Sequence, residues 1–380
     1  MPTSVWLCPE HGKEEWKMTD SVKKMIRKFG LPRIIIVLFF LFLVVCAGAF
    51  QMNLPQFFSD VLRRWGMYGV LALAMVPAIQ CGIGPNFGIT MGIVGGLLGG
   101  LVVIQLDIAQ NPALVAIHPL FAAWVAILAV IVIGVILAVG IGYLYGQLLN
   151  RVKGSEMTVT TYVGFSVIAF MNMVWMLLPF DNGELIWPNA GKGLRNTISL
   201  ASSYSGVMND TLAFSIGDFF VPTGLLLFFF LMCFLVWLFM RSKTGIAMSA
   251  AGTNPMFAKA AGINVNRMRL VGTILSTVLA AVGILVYAQA FGFIQLYNGP
   301  MMMGFTSVAA VLIGGATPRR ASIAHVLIGT FLFQGIMALG LPVVNQFIPE
   351  SNLSEVMRLI ISNGIILYAL AQAKGGDSRE

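Results

Sequence analysis

From Leu120 to Gly146 the chain carries no Asp, Glu, Lys or Arg. As a helix that run would extend about 40 Å, more than the roughly 30 Å hydrocarbon core of a bilayer. Similar apolar runs recur along the 380 residues, which are 58% hydrophobic and only 10% charged. A soluble domain carries about a quarter charged residues, so the chain reads as an integral membrane protein. The runs are too continuous for the alternation of a β-barrel. The fold class is therefore all-α, a polytopic membrane protein with about ten transmembrane helices.

The expected spans are 34–52, 66–82, 87–106, 120–146, 157–178, 219–240, 270–291, 303–316, 321–341 and 356–373. The eighth is short for a bilayer, so a re-entrant or broken segment is expected there. With a cytoplasmic N-terminus, most of the 23 Lys and Arg fall in inside loops, while the 15 Asp and Glu divide almost evenly. That bias fits the positive-inside rule and explains the formal net charge of +8 without a nucleic-acid partner. It gives a cytoplasmic N-terminal tail (1–33), a membrane domain (34–373), an external loop (179–218), an inside segment (241–269) and a cytoplasmic C-terminal tail (374–380).

No charged residue falls well inside any expected span; Arg358 stands at the mouth of the last. Ion-coupled carriers usually need such a residue within the membrane, so a proton symporter is disfavoured and the energy source is expected on another polypeptide. No G-x-x-x-x-G-K-[ST] loop occurs, and Gly191-Lys192-Gly193 does not qualify, so this chain is not read as an ATPase or other enzyme. Cys46, Cys81 and Cys233 lie in or beside spans, and Cys8 with His11 makes no metal site; no cofactor or metal is expected. Residues 1–17 are polar and featureless, either disordered or upstream of a start at Met18. Residues 34–52 read as an uncleaved first span.

The inside segment, Arg241 to Arg269, is small, alanine-rich and flanked by cations. It reads as two short helices. Asn254 caps the second, Pro255 suits its first turn and Gly262 ends it. A helix of about seven residues spans roughly 10 Å and cannot stand alone, so it is expected to dock into a partner.

Glycine organises the third span: Gly84, Gly88, Gly92, Gly96 and Gly100 recur every four residues, with Gly95 and Gly99 beside them. That stripe predicts close helix packing. Gly82-Ile83-Gly84-Pro85-Asn86 cannot be regular helix throughout, because Pro85 lacks an N–H and restricts Gly84. A break near the bilayer middle is expected, with Asn86 and Thr90 beside it. A second glycine-rich stretch, Ser307 to Ala316, precedes Thr317-Pro318-Arg319-Arg320. A weak inverted repeat relating 66–178 to 270–373 is expected. The external loop, with Asp181, Glu184, Trp187, Lys192, Arg195 and Asp210, reads either as a plain connector or as a partner-docking cap.

Over roughly 66–373 these residues resemble the membrane subunits of ABC importers for ribose-type sugars, nucleosides and branched-chain amino acids. Gly252-x-Asn254-Pro255 followed by Lys259-x-Ala261-Gly262-Ile263-Asn264-Val265 is similar to that family's coupling segment, and Val308 to Gly315 to its Ile-Ala-Ala-Val-hydrophobic-Gly-Gly signature. Met256-Phe257 stands where the family usually has an alanine pair. Gly82 to Gly88 keeps the family's glycines but lacks the Asp and Ser of its sugar branch. The resemblance implies two ABC ATPase subunits on the cytoplasmic side, an extracytoplasmic solute-binding protein and a second permease copy or paralogue, all working in membrane lipid.

It implies alternating access, with Gly252, Asn254, Pro255, Met256, Phe257, Lys259, Ala261, Gly262 and Ile263 coupling to the ATPase. The expected pathway is neutral, with Asn86, Thr90, Asn172, Gln289, Ser307 and Gln334 as candidates; each could instead bond a neighbouring helix. A neutral wall suits a sugar first, with a nucleoside or branched-chain amino acid as alternatives. Two rivals are an ATP-independent facilitator, with no docking partner for 241–269, and an intramembrane protease using Ser166 with His325. The protease fails on depth, because the two residues enter their spans at different levels.

Overall fold

The computed structural model describes residues 31–186 and 194–347, and beyond them the isolated positions 356, 360, 363, 364 and 367. Helix starts follow local chemistry. After α1 (Leu31–Ala49), Asn53 accepts from the Gln56 amide and Pro55 occupies the first turn, so α2 runs Leu54–Leu73. The expected start at 66 was late. Asp60, Arg63 and Arg64 break the apolar pattern there, yet Asp60 and Arg63 pair at 3.0 Å one turn apart and the helix tolerates them. These charges lie N-terminal to the expected span 66–82, whose own residues carry none.

Pro77 has no N–H and its ring opposes the Leu73 carbonyl, so the helix is interrupted at Ala74 and resumes as α3, Met75–Gln80. Residues 81–86 form a break, and a 3-10 turn, Phe87–Ile89, leads into α4, Thr90–Gln105. After short α5 (Pro112–Val115) come α6 (Pro119–Arg151) and α7 (Glu156–Leu177). The 33 residues of α6 span about 50 Å, so it tilts in a bilayer or projects from it.

The loop end carries β1 (Thr197–Ser199), α8 (Val207–Asp210) and a hairpin of β2 (Phe214–Ile216) and β3 (Phe219–Val221). Helix α9 (Thr223–Arg241) leads to α10 (Lys243–Thr253) and α11 (Pro255–Ala260). Then follow α12 (Val265–Phe291), β4 (Phe293–Gln295), α13 (Asn298–Ile313) and α14 (Ile323–Phe347). The expected tenth span and the end of the expected repeat lie outside the described residues.

Among the described residues six helices are long and apolar enough to cross a membrane. At 16 residues α13 is about 24 Å long, short of the bilayer core as expected. Helices α4 and α12 form the buried centre, whereas α7 and α9 are peripheral. The glycine stripe is the reason α4 can sit there. A Cβ on Gly92 would come within 2.6 Å of the Ala280 Cβ of α12, and one on Gly99 within 2.7 Å of the Gly134 Cα of α6. Two neighbouring backbones thus press on adjacent faces of one helix.

The described part of the loop expected to be external packs onto the bundle. Strand β1 pairs antiparallel with β4, and Ile198, Leu200 and Tyr204 are buried. Asn182 donates to the Ile104 carbonyl at 2.9 Å, and Asn209 to the Ala290 carbonyl at 3.0 Å. The loop clasps the ends of α4 and α12. Trp187 and Lys192 lie outside the described residues.

Candidate functional site: a plug seated against a broken helix

The 241–269 segment folds as a chain of capped short helices. Ser242 accepts from the Gly245 amide to start α10, and Asn254, in extended geometry, accepts from the Phe257 amide at 3.0 Å to start α11. Gly262 adopts φ +79°, and the Ile263 amide reaches back to the Ala258 carbonyl at 2.9 Å, a Schellman-type stop. Asn264 then caps α12. The six residues of α11 are one fewer than expected, with Ala261 as the C-cap. Its one buried side chain is Ala258; Met256 and Phe257 are 87% and 68% exposed. Lys259, Pro255, Ala261 and Gly262 are exposed too, while Gly252 and Ile263 are half-buried.

Behind the plug, backbone meets backbone. A Cβ on Gly252 would collide with the Gln80 carbonyl and lie 2.7 Å from the Gly82 amide nitrogen. A Cβ on Gly82, itself at φ +81°, would lie 2.9 Å from the Gly252 Cα. Both glycines are needed for α10 to rest on the chain between α3 and α4. The break therefore sits at the plug end of the bundle, not near its middle as expected. Gln80 donates to the Ala321 carbonyl at 2.5 Å, so the turn between α13 and α14 converges on the same point. Gly315 makes that turn at φ +104°, and Arg33 of α1 donates to its carbonyl at 2.7 Å.

The plug is also tied to α6 and α7. Arg269 donates to the Glu156 carboxylate at 2.6 Å, with side chains only 9% and 14% exposed. Lys153 reaches Asn266 at 2.6 Å and Asn150 donates to the Asn266 carbonyl at 2.9 Å. No expectation covered this ion pair, because in sequence both members fall in polar loops.

At the end of the break stands fully buried Asn86. It accepts from the Gly88 amide at 3.0 Å and from the Tyr145 hydroxyl at 2.7 Å, and it donates to Ser276 at 3.4 Å. Its oxygen thus ties the turn to α6, and its amide nitrogen ties it to α12. Thr90 differs: it is 4% exposed, its hydroxyl has no partner, and it borders a cleft between the turn, α7 and α13. Ser307 on α13 donates to the Met303 carbonyl at 2.7 Å. Gln289 is spent in part on the outer clasp, accepting from the Met208 amide at 3.2 Å. Gln334 is buried on α14, and Asn172 is half-buried on α7 with an unpartnered oxygen. The six candidates do not form one cluster, although Asn86 and Thr90 share the turn.

The described residues thus form a multi-pass helical bundle with a capped plug backed onto a broken helix. The chain matches the family model described as branched-chain amino acid transport system, permease component, over residues 57–370, and it belongs to that family. It is 32% identical over 111 residues to the nucleoside ABC transporter permease protein NupC of Lactococcus lactis subsp. cremoris, covering 29% of this chain and 35% of that protein. It is 30% identical over 168 residues to the probable ABC transporter permease protein YphD of Escherichia coli, covering 42% and 49%. With the galactofuranose transporter permease protein YtfT of E. coli the identity is 27% over 336 residues, covering 81% and 92%. The chain thus spans half or less of the first two relatives. No solved structure matches.

Proposed function

We propose that the chain is the membrane-spanning subunit of an ATP-binding-cassette importer, worked by separate ATPase subunits that grip α11. The observation that carries this is the exposed Met256–Phe257 pair on a plug whose other side bears directly on the break. Burying two such side chains in a partner groove would yield about 1.5–3 kcal/mol each, enough to anchor a helix that cannot stand alone. The resemblance and the positive-inside bias support a cytoplasmic placement of this end, with both termini on that side and the clasped loop facing a solute-binding protein. Two permeases, identical or paralogous, would complete the assembly.

Motion of the plug passes through Gly252 and Gly82 into the break, and from Asn86 into α6 and α12. The solute is a small uncharged polar molecule, a sugar by first preference, in keeping with the long match to a galactofuranose permease. A nucleoside is the second reading, favoured by the nucleoside permease match at 32% identity. Phe257→Glu tests the proposal. The side chain is largely in solvent, so the permease should fold normally while ATP-driven uptake falls at least tenfold. Unchanged uptake would remove the docking role.

A further inference from the structure

The family match leaves the solute open among sugars, nucleosides and amino acids; the cleft beside Thr90 narrows that choice. We infer that this cleft, between α7, α13 and the Phe87–Ile89 turn, is where the solute touches the pathway, and that it accepts an uncharged ring with a hydroxyl. The inference rests on the permease reading. Three phenylalanines from separate elements meet there: Phe87 and Phe305 have ring centroids 5.1 Å apart, and Phe165 and Phe305 5.9 Å apart. The cleft is closed down to about 10 Å³, room for about one water, and no charged residue lines it.

Of the two threonines that line it, Thr161 donates to the Met157 carbonyl at 2.9 Å, whereas the Thr90 hydroxyl is buried and unspent. A buried hydroxyl without a partner is costly, so it has a reason to await one. Gly164 lets α7 pack closely over it, since a Cβ there would sit 3.0 Å from the Thr90 oxygen. Phenylalanine faces receive the C–H face of a sugar or the plane of a base, and the hydroxyl fixes orientation. A free amino acid would bring an ammonium and a carboxylate into a wall with no countercharge, which is strongly unfavourable. With the rings in contact the passage is shut. It opens when α7 and α13 part.

The test uses Phe165→Cys and Phe305→Cys, each in proteoliposomes holding the permease co-purified with its ATPase. A charged, water-soluble methanethiosulfonate probes them, against a parent chain carrying Cys8→Ser and Cys46→Ser, whose remaining Cys81 and Cys233 are buried. Both introduced cysteines should label, and uridine or ribose should slow labelling about tenfold, while leucine should not. Protection by uridine alone assigns base stacking; protection by ribose assigns a sugar face. Thr90→Val, which keeps the shape and removes the hydroxyl, should weaken that protection about tenfold without lowering the melting temperature.

No labelling in any nucleotide state, or leucine protecting as well as the ring solutes, would overturn the inference. So would labelling that neither ring slows. If ring solutes protect but ATP changes neither labelling nor uptake, the cleft stands and the ATP-driven reading falls. If ATP drives uptake while neither cysteine labels, the reverse holds.

Discussion

Gly252→Ala should separate the plug from the break without unfolding the bundle. The added methyl would lie 2.7 Å from the Gly82 nitrogen and 2.9 Å from the nearest Cys81 backbone carbon, besides striking the Gln80 carbonyl. All three obstacles are backbone, so no rotamer change relieves them, and α10 must draw back by most of an ångström. Overpacking of this kind costs about 1–3 kcal/mol. If the strain falls on the docked arrangement, the same energy shifts its population by about 5- to 150-fold. Gly154→Ala is the matched control. Gly154, in the turn between α6 and α7, holds φ +91° but has nothing within 4 Å, so the methyl adds left-handed strain of about 1–2 kcal/mol and displaces no neighbour. Uptake and ATP hydrolysis, measured in the same proteoliposomes, give solute moved per ATP. That ratio should fall at least fivefold for Gly252→Ala and stay near wild type for Gly154→Ala. Equal ratios in the two variants, whether both intact or both damaged, would refute the contact as the point of transmission.

The buried ion pair and the asparagine hub give two further tests. Arg269→Ala should lower stability by about 3–5 kcal/mol, since it leaves Glu156 buried without its cation, and the double variant with Glu156→Gln should recover part of that loss; thermal unfolding in detergent reads both. Tyr145→Phe leaves Asn86 bonded to the Gly88 amide and should cost about 1 kcal/mol. Asn86→Ala strands both donors and should cost about 2–3 kcal/mol, so similar melting temperatures for the two would deny Asn86 its central place.

What could be read from the sequence was local. The Asn254 cap, the Pro255 first turn and the Gly262 stop are decided within a few residues, and all three occur as written. The glycine stripe announced close packing, though not that its two faces would meet α6 and α12 separately. Long-range partners left no such trace. Arg269 and Glu156 each follow polar loop residues, and only folding brings them to 2.6 Å. The start of α2 was hidden because hydropathy counts Asp60 and Arg63 as penalties while the helix pairs them. The clasp of β1 on β4 was invisible because three-residue strands have no periodicity to detect. Thr90 could be named as a polar residue near a break, but its unspent hydroxyl and its phenylalanine neighbours could not.

On the proposed function, this membrane bundle holds no energy source of its own and is driven through α11 from its inner face. Uptake of labelled solute against a gradient, in liposomes containing the permease with and without its co-purified ATPase, tests that most directly. Accumulation should require both the ATPase and ATP, and vanish with Phe257→Glu. Uphill uptake by the permease alone, with no nucleotide present, would contradict the account.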